Sequence, residues 1–211
     1  MRSFVNFLQE RGNEILSLTV EHLYLTGITM VFAIIVGVLL GLLLTRFEWL
    51  ATPILGGANV IQTVPSLAIL GFMIPLFGIG ATPAIVALFL YALLPIIRNT
   101  YTGIVGVNPA TVEAAIGVGM TQRQVLRLVR LPLALSVIMA GIRTSTVICV
   151  GIATLCAFIG AGGLGELIFS GISMVNASMI LAGAIPSALL ALILDFGLGL
   201  IEKLLTPKGL R

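Results

Sequence analysis

The chain has 211 residues, of which 59% are hydrophobic and 9% charged, with a mean hydropathy of +1.19. Soluble domains carry about 25% charged residues and disordered chains are poor in apolar ones, so both classes are excluded and an integral membrane protein remains. The formal charge of +3 comes from 11 Lys+Arg against 8 Asp+Glu; in a membrane protein the positive bias of cytoplasmic loops accounts for it, and no nucleic-acid partner is implied.

The N-terminal stretch Met1 to Glu21 is broken by Glu10, Glu14 and Glu21 and does not read as a cleaved signal peptide. It reads as an extracytoplasmic segment, residues 1–22, ahead of a single transmembrane domain over 23–211. A helix needs about 20 residues to cross the hydrocarbon, which places the first span at about 23–45. Gly37 and Gly41 on it form G-x-x-x-G, a close-packing signal between membrane helices. From Trp49 to Ile97 there is no Asp, Glu, Lys or Arg. That run is long enough for two spans, about 53–76 and 83–101, divided at the Gly78/Gly80/Pro83 cluster and kinked at Pro65, Pro75 and Pro95. A polar loop, 102–132, precedes a fourth span at about 133–159 carrying Arg143. The glycine-rich turn Gly160 to Glu166 ends that span, and a fifth at about 175–201 carries Asp195. Cys149 and Cys156 lie seven residues apart on one helix, out of disulfide reach, and read as small apolar side chains.

With five spans the termini lie on opposite sides. A cytoplasmic C-terminus gathers Arg46, Arg98, Arg123, Arg127, Arg130, Arg143, Lys203, Lys208 and Arg211 on that side, nine of the 11 cations. It leaves Arg2 and Arg11 outside, so the charge bias selects N-outside, C-inside.

The polar loop carries two short helices. Asn108 can cap the first, with Pro109 in its first turn and Gly117 and Gly119 at its end; Thr121 and Gln124 form a capping box for the second. On the second, Val125, Leu128, Val129 and Pro132 fall on one apolar face and Arg123, Arg127 and Arg130 on a basic one. Two readings stand: a helix lying at the lipid headgroups, or a docking element for a cytoplasmic partner.

Glu113-Ala114-Ala115, Gly119 and then Val129-x-Leu131-Pro132 resemble the E-A-A-x3-G-x9-I-x-L-P signature of ABC-importer permeases, with Val129 in place of isoleucine. The resemblance implies an all-α type I permease core of five spans covering nearly the whole chain, in a bacterial inner membrane. The turn 160–165 is similar to the outer-side turn of the same permeases. Three stretches, 62–68, 94–104 and 140–146, are similar to the osmoprotectant branch, which imports glycine betaine, carnitine, choline and related quaternary amines.

The resemblance further implies two permeases around a path, either two copies or a copy and a sister permease, each seated on an ABC ATPase, with an extracytoplasmic binding protein delivering solute. By position, Glu113, Ala114, Ala115, Gly119, Arg123, Arg127, Leu131 and Pro132 would couple to the ATPase. No G-x-x-x-x-G-K-[ST] is present, so ATP is expected to be hydrolysed by the partner and no cofactor is expected on this chain.

Arg143 and Asp195 are costly in a membrane, and their similar depth suggests a pair between spans four and five, as a brace or a gate. No clustered Trp/Tyr cage suited to a quaternary ammonium appears in the spans, which points selectivity to the binding protein. Glu166 reads as solvated or as a binding-protein contact, and His22, the only histidine, as structural. An intramembrane enzyme lacks any converging catalytic set. An ion-coupled transporter predicts inverted repeats that five spans do not readily supply.

Overall fold

The computed structural model describes Phe7 and residues 9–206, and is helical throughout with no strand among the described residues. The cations Arg2, Lys208 and Arg211, used above for orientation, lie outside the described residues. Helix α1 spans Gly12–Arg46, α2 Ala51–Thr63, α3 Ser66–Phe77, α4 Ala81–Val105, α5 Pro109–Gly117, α6 the single turn Gln122–Gln124, α7 Leu131–Ala153, α8 Gly165–Ser173 and α9 Ala177–Leu205.

Helix α1 starts at Gly12 rather than at residue 23, because the glutamates before that point lie on exposed turns that water can solvate while Leu18 and His22 are buried. At about 1.5 Å per residue it exceeds the hydrocarbon thickness, so its first turns project beyond the membrane. Its Gly37 and Gly41 press on Ile96 and Thr100 of α4: a Cβ built at Gly37 would stand 2.7 Å from Ile96 Cγ2. Helices α1 and α4 therefore run parallel with their backbones in near contact. Helix α7 packs antiparallel to α4, with Gly141 against Asn99 and Gly103 against Val137 and Ser145 Oγ donating to the Ala92 carbonyl at 2.7 Å.

The expected second span is sharply broken. Helices α2 and α3 meet at 99°, far more than a proline kink. Val64 and Pro65 are both extended, with ψ of 132° and 134°; at Val64 this follows from the clash with the ring of the proline after it. The pair still traverses the bundle. Ala51, at its start, packs with Leu44 and Ile97, whereas Gly80, just past its end, donates its N–H to Ile159 at the opposite end, 2.8 Å away. It is one broken span, completing five.

Exposed backbone at such a break is tolerated in a membrane only where partners are supplied. Tyr91 supplies them: its hydroxyl donates to the Val64 carbonyl. Pro95 has no N–H to give to the Tyr91 carbonyl four residues back, and Gln62 Nε2 donates to that carbonyl instead, at 3.0 Å.

Two further elements differ from the sequence expectation. Helix α8 occupies the segment between the glycine-rich turn and span five, where the sequence gives no helix; its Leu167 packs with Leu18, Leu164, Met179 and Ala182 in a small core of its own. The helix at Thr121 does not end before span four: α6, a π-helical stretch Val125–Arg130 and α7 form one continuous path from Gln122.

Candidate functional site

The corner between α4 and α7 is built from local rules. Asn108 caps α5, its Oδ1 accepting from the Ala110 N–H at 2.9 Å, with Pro109 in the first turn. Helix α5 ends because Gly119 adopts φ +88°, a conformation glycine enters without strain. Gly119 N–H then donates to Ile116 O at 2.9 Å and Met120 N–H to Ala115 O at 3.1 Å, the two bonds of a Schellman termination. The spacing from Ala115 to Gly119 thus has a mechanical cause.

Val112 and Ala115 face inward and Glu113 and Ala114 outward. Thr121 and Gln124 form the capping box, Thr121 N–H donating to Gln124 Oε1 at 2.8 Å. Leu131 and Pro132 open α7 and are half-buried against the core.

The π-helical turn changes the faces of the second helix. A π turn takes more residues than an α turn, so the side chains at 125–130 rotate away from α-helical register. Val125 is 1% exposed, but Leu128 is 64% exposed and does not join the expected apolar face. Arg123 and Arg127 stay exposed, while Arg130 is half-buried and shares a groove with Arg46 and Gln122 instead of their basic face. Pro132, which gives no N–H back to this turn, sits just beyond it. Glu113, Ala114, Ile116, Val118, Arg123, Arg127 and Leu128 are thus all exposed on the corner, where charged and apolar side chains both reach solvent.

In the bundle, Arg143 and Asp195 are brought into contact as a two-pronged pair, Nε–Oδ1 2.8 Å and Nη2–Oδ2 2.9 Å. This fork geometry is the strong form of the arginine–carboxylate bond. Glu202, not singled out from the sequence, takes the third prong at 3.1 Å from Nη1. Asp195, Gly199 and Glu202 lie on one face of α9, and a Cβ at Gly199 would stand 3.4 Å from Arg143 Cζ, so the guanidinium lies over bare backbone. The i, i+4, i+7 spacing was the signal that could have found Glu202. The cluster borders a cavity of about 550 Å³ that Lys203 and Phe196 also line.

The other end is tied to itself. Gly160, Gly162 and Gly163 all have positive φ, between 69° and 84°, which lets the turn fold onto α1. Gly163 N–H donates to Glu21 Oε2 at 3.1 Å. The ring of His22, fully buried, lies 3.1 Å by its Nε2 from the Val150 carbonyl. Glu166 is exposed, and Cys149 and Cys156 are buried free thiols.

Against solved structures the fold is that of an ABC importer permease. The chain superposes on a chain of the MetNI methionine ABC transporter in an inward-facing form with a TM-score of 0.79 at 24% identity, covering 92% of this chain and 97% of that one. It superposes on a chain of an amino acid ABC transporter crystallised with histidines at 0.69 and 20%, covering 95% and 96%.

The family is set by sequence: residues 33–207 match the model for the binding-protein-dependent transport system inner membrane component, and the chain belongs to that family. Among curated relatives, the glycine betaine/carnitine/choline transport system permease protein OpuCB of Bacillus subtilis is 52% identical over 211 residues, covering 100% of this chain and 97% of the relative. The OpuCD permease of the same named system is 47% identical, covering 95% and 88%. The osmoprotectant import permease protein OsmW of Salmonella typhimurium is 47% identical, covering 98% and 99%. This chain is an inner-membrane transport permease.

Proposed function

We propose that the chain is the permease subunit of an ATP-driven importer of quaternary-amine osmoprotectants, of the glycine betaine, carnitine and choline type. The observation that carries this reading is the 52% identity, over all 211 residues, to a permease whose name specifies those solutes. In this reading the N-terminus and the outer turn face outward and the C-terminus faces the cytoplasm. An ABC ATPase seats on the corner made by Glu113, Ala114, Ala115, Gly119, Arg123 and Arg127, with Leu131 and Pro132 anchoring that corner to α7. ATP is hydrolysed by that partner, and this chain catalyses no reaction and holds no cofactor.

A second permease, a copy or a sister, completes the path. Two permeases, OpuCB and OpuCD, carry the name of one Bacillus system and each is close to half identical to this chain, which favours a sister. An extracytoplasmic binding protein delivers the solute and selects it. The Arg143–Asp195 pair, extended to Glu202, braces α7 against α9 so that movement of the corner is passed to both helices.

The test is uptake of radiolabelled choline, glycine betaine and carnitine by proteoliposomes holding the permease, its ATPase and its binding protein. ATP-dependent uptake of one or more of these is expected. Uptake of an unrelated small solute alone would overturn the substrate, and uptake surviving removal of the ATPase would overturn the energy source.

A further inference from the structure

We propose that the groove between the foot of α1 and the π-helical turn is a binding site for the phosphate headgroup of an anionic membrane phospholipid, held by Arg46 and Arg130. The groove, of about 400 Å³, has an apolar wall that includes Leu39 and Leu43 and a polar floor of Arg46, Gln122 and Arg130. Two guanidiniums therefore share one recess. Among the described residues neither Arg46 nor Arg130 has a carboxylate within ion-pair distance. The Nε of Arg130 is buried and has no hydrogen-bond partner.

A buried guanidinium nitrogen without an acceptor costs free energy, and two unpaired arginines in one recess repel each other. Both costs are removed by one anion with several acceptor oxygens, the ligand that forked guanidiniums bind best.

The apolar wall decides which anion. Leu39 and Leu43 are 61% and 43% exposed and continue the outward ridge of Phe32 and Ile35 up the spanning helix. An acyl chain can lie along that ridge while its phosphate reaches the arginines, which sit at the end of the span where headgroups are found. A free phosphate would leave the leucines uncovered. The site arises from the π turn, which takes Arg130 away from Arg123 and Arg127, and it fixes the foot of α1 to the stretch leading into α7. It is independent of which solute is carried.

Native mass spectrometry of the purified transporter, with phosphatidylglycerol or phosphatidylcholine added in turn, tests this. We expect preferential retention of phosphatidylglycerol, and about thirtyfold weaker retention by the double variant Arg46→Gln/Arg130→Gln but not by Arg11→Gln, given the attraction of each surface cation for anionic lipid. Equal retention of both lipids, or no change in the double variant, overturns the site. Displacement of the lipid by millimolar inorganic phosphate overturns the lipid assignment in favour of a free anion. Should the double variant fail to fold, a photoactivatable phosphatidylglycerol on the unmodified transporter decides. Crosslinks to the peptides around Leu39–Arg46 and Gln122–Arg130 support the site, and crosslinks confined to other peptides overturn it.

Discussion

The two ends of the bundle are finished differently. At the end holding Gly160–Gly165 hydrogen bonds tie the loops across the chain: Glu21 accepts from Gly163, His22 meets the Val150 carbonyl and Gly80 reaches Ile159, while Ile79, Met174 and Val175 stand 77%, 70% and 90% exposed and the buried Nδ1 of His22 has no partner. At the end holding α5 and the π turn, the hydrogen bonds that cap the backbone are local, and the exposed side chains carry charge of both signs beside apolar surface. Val118 and Leu128 are 77% and 64% exposed, and Glu113, Arg123 and Arg127 form no ion pair among the described residues. Both ends leave apolar side chains uncovered and so have surface for a partner; they differ in that the first is also held by hydrogen bonds between residues far apart in the chain, whose loss costs free energy. Substitutions at the first end should therefore lower stability, and those at the second should lower transport.

The sharpest way to break this contrast is Glu113→Arg, which reverses a charge on an exposed side chain. We expect uptake to fall to background while membrane insertion and melting temperature stay as in the unmodified transporter. Unchanged uptake would remove Glu113 from the coupling surface.

Next in size is Arg143→Leu, which strands two carboxylates. Removing one partner of a buried pair costs 3–5 kcal/mol, but these side chains are about one-third exposed, so about 2 kcal/mol is expected from thermal unfolding. A brace predicts that Asp195→Asn lowers stability with ATP consumption still tied to uptake; ATP consumption released from uptake would make the cluster a gate.

Gly119→Ala places a side chain at positive φ in open space, with about 1–2 kcal/mol of strain expected and reduced uptake because the corner is distorted. The smallest effect is expected at the closed end. Glu21→Ala should lower the unfolding free energy by about 1 kcal/mol, its carboxylate being exposed, and leave uptake nearly intact. A large transport defect there would show that the glycine-rich turn does more than close the bundle.

Much of this was legible because charge is so scarce. The span limits follow from where the few charged residues fall, and Arg143 and Asp195 stood out because each is expensive in hydrocarbon. The capping box at Thr121 and the turn at Gly119 follow from short-range hydrogen bonding, which spacing records directly. What was not legible depends on distant partners. The 99° break at Pro65 is stable only because Tyr91 and Gln62, far apart in sequence, reach the freed carbonyls. Glu202 looked like a terminal charge outside the last span, since its depth is set by α9 running on to Leu205. The π turn, which separates Arg130 from its neighbours, leaves no periodic signature of its own. Helix α8 is short and flanked by glycine, and its stability comes from packing on Leu18 and Met179 rather than from propensity.

The central claim is that the open corner receives the ATPase while the closed end faces the binding protein. Single cysteines placed by Ala114→Cys and by Glu166→Cys in the assembled transporter, with Cys149 and Cys156 buried and out of reach, test it through a short bifunctional crosslinker. The account predicts that Ala114→Cys crosslinks to the ATPase and that Glu166→Cys never does. A crosslink from Glu166→Cys to the ATPase, with none from Ala114→Cys, would contradict both the docking site and the orientation.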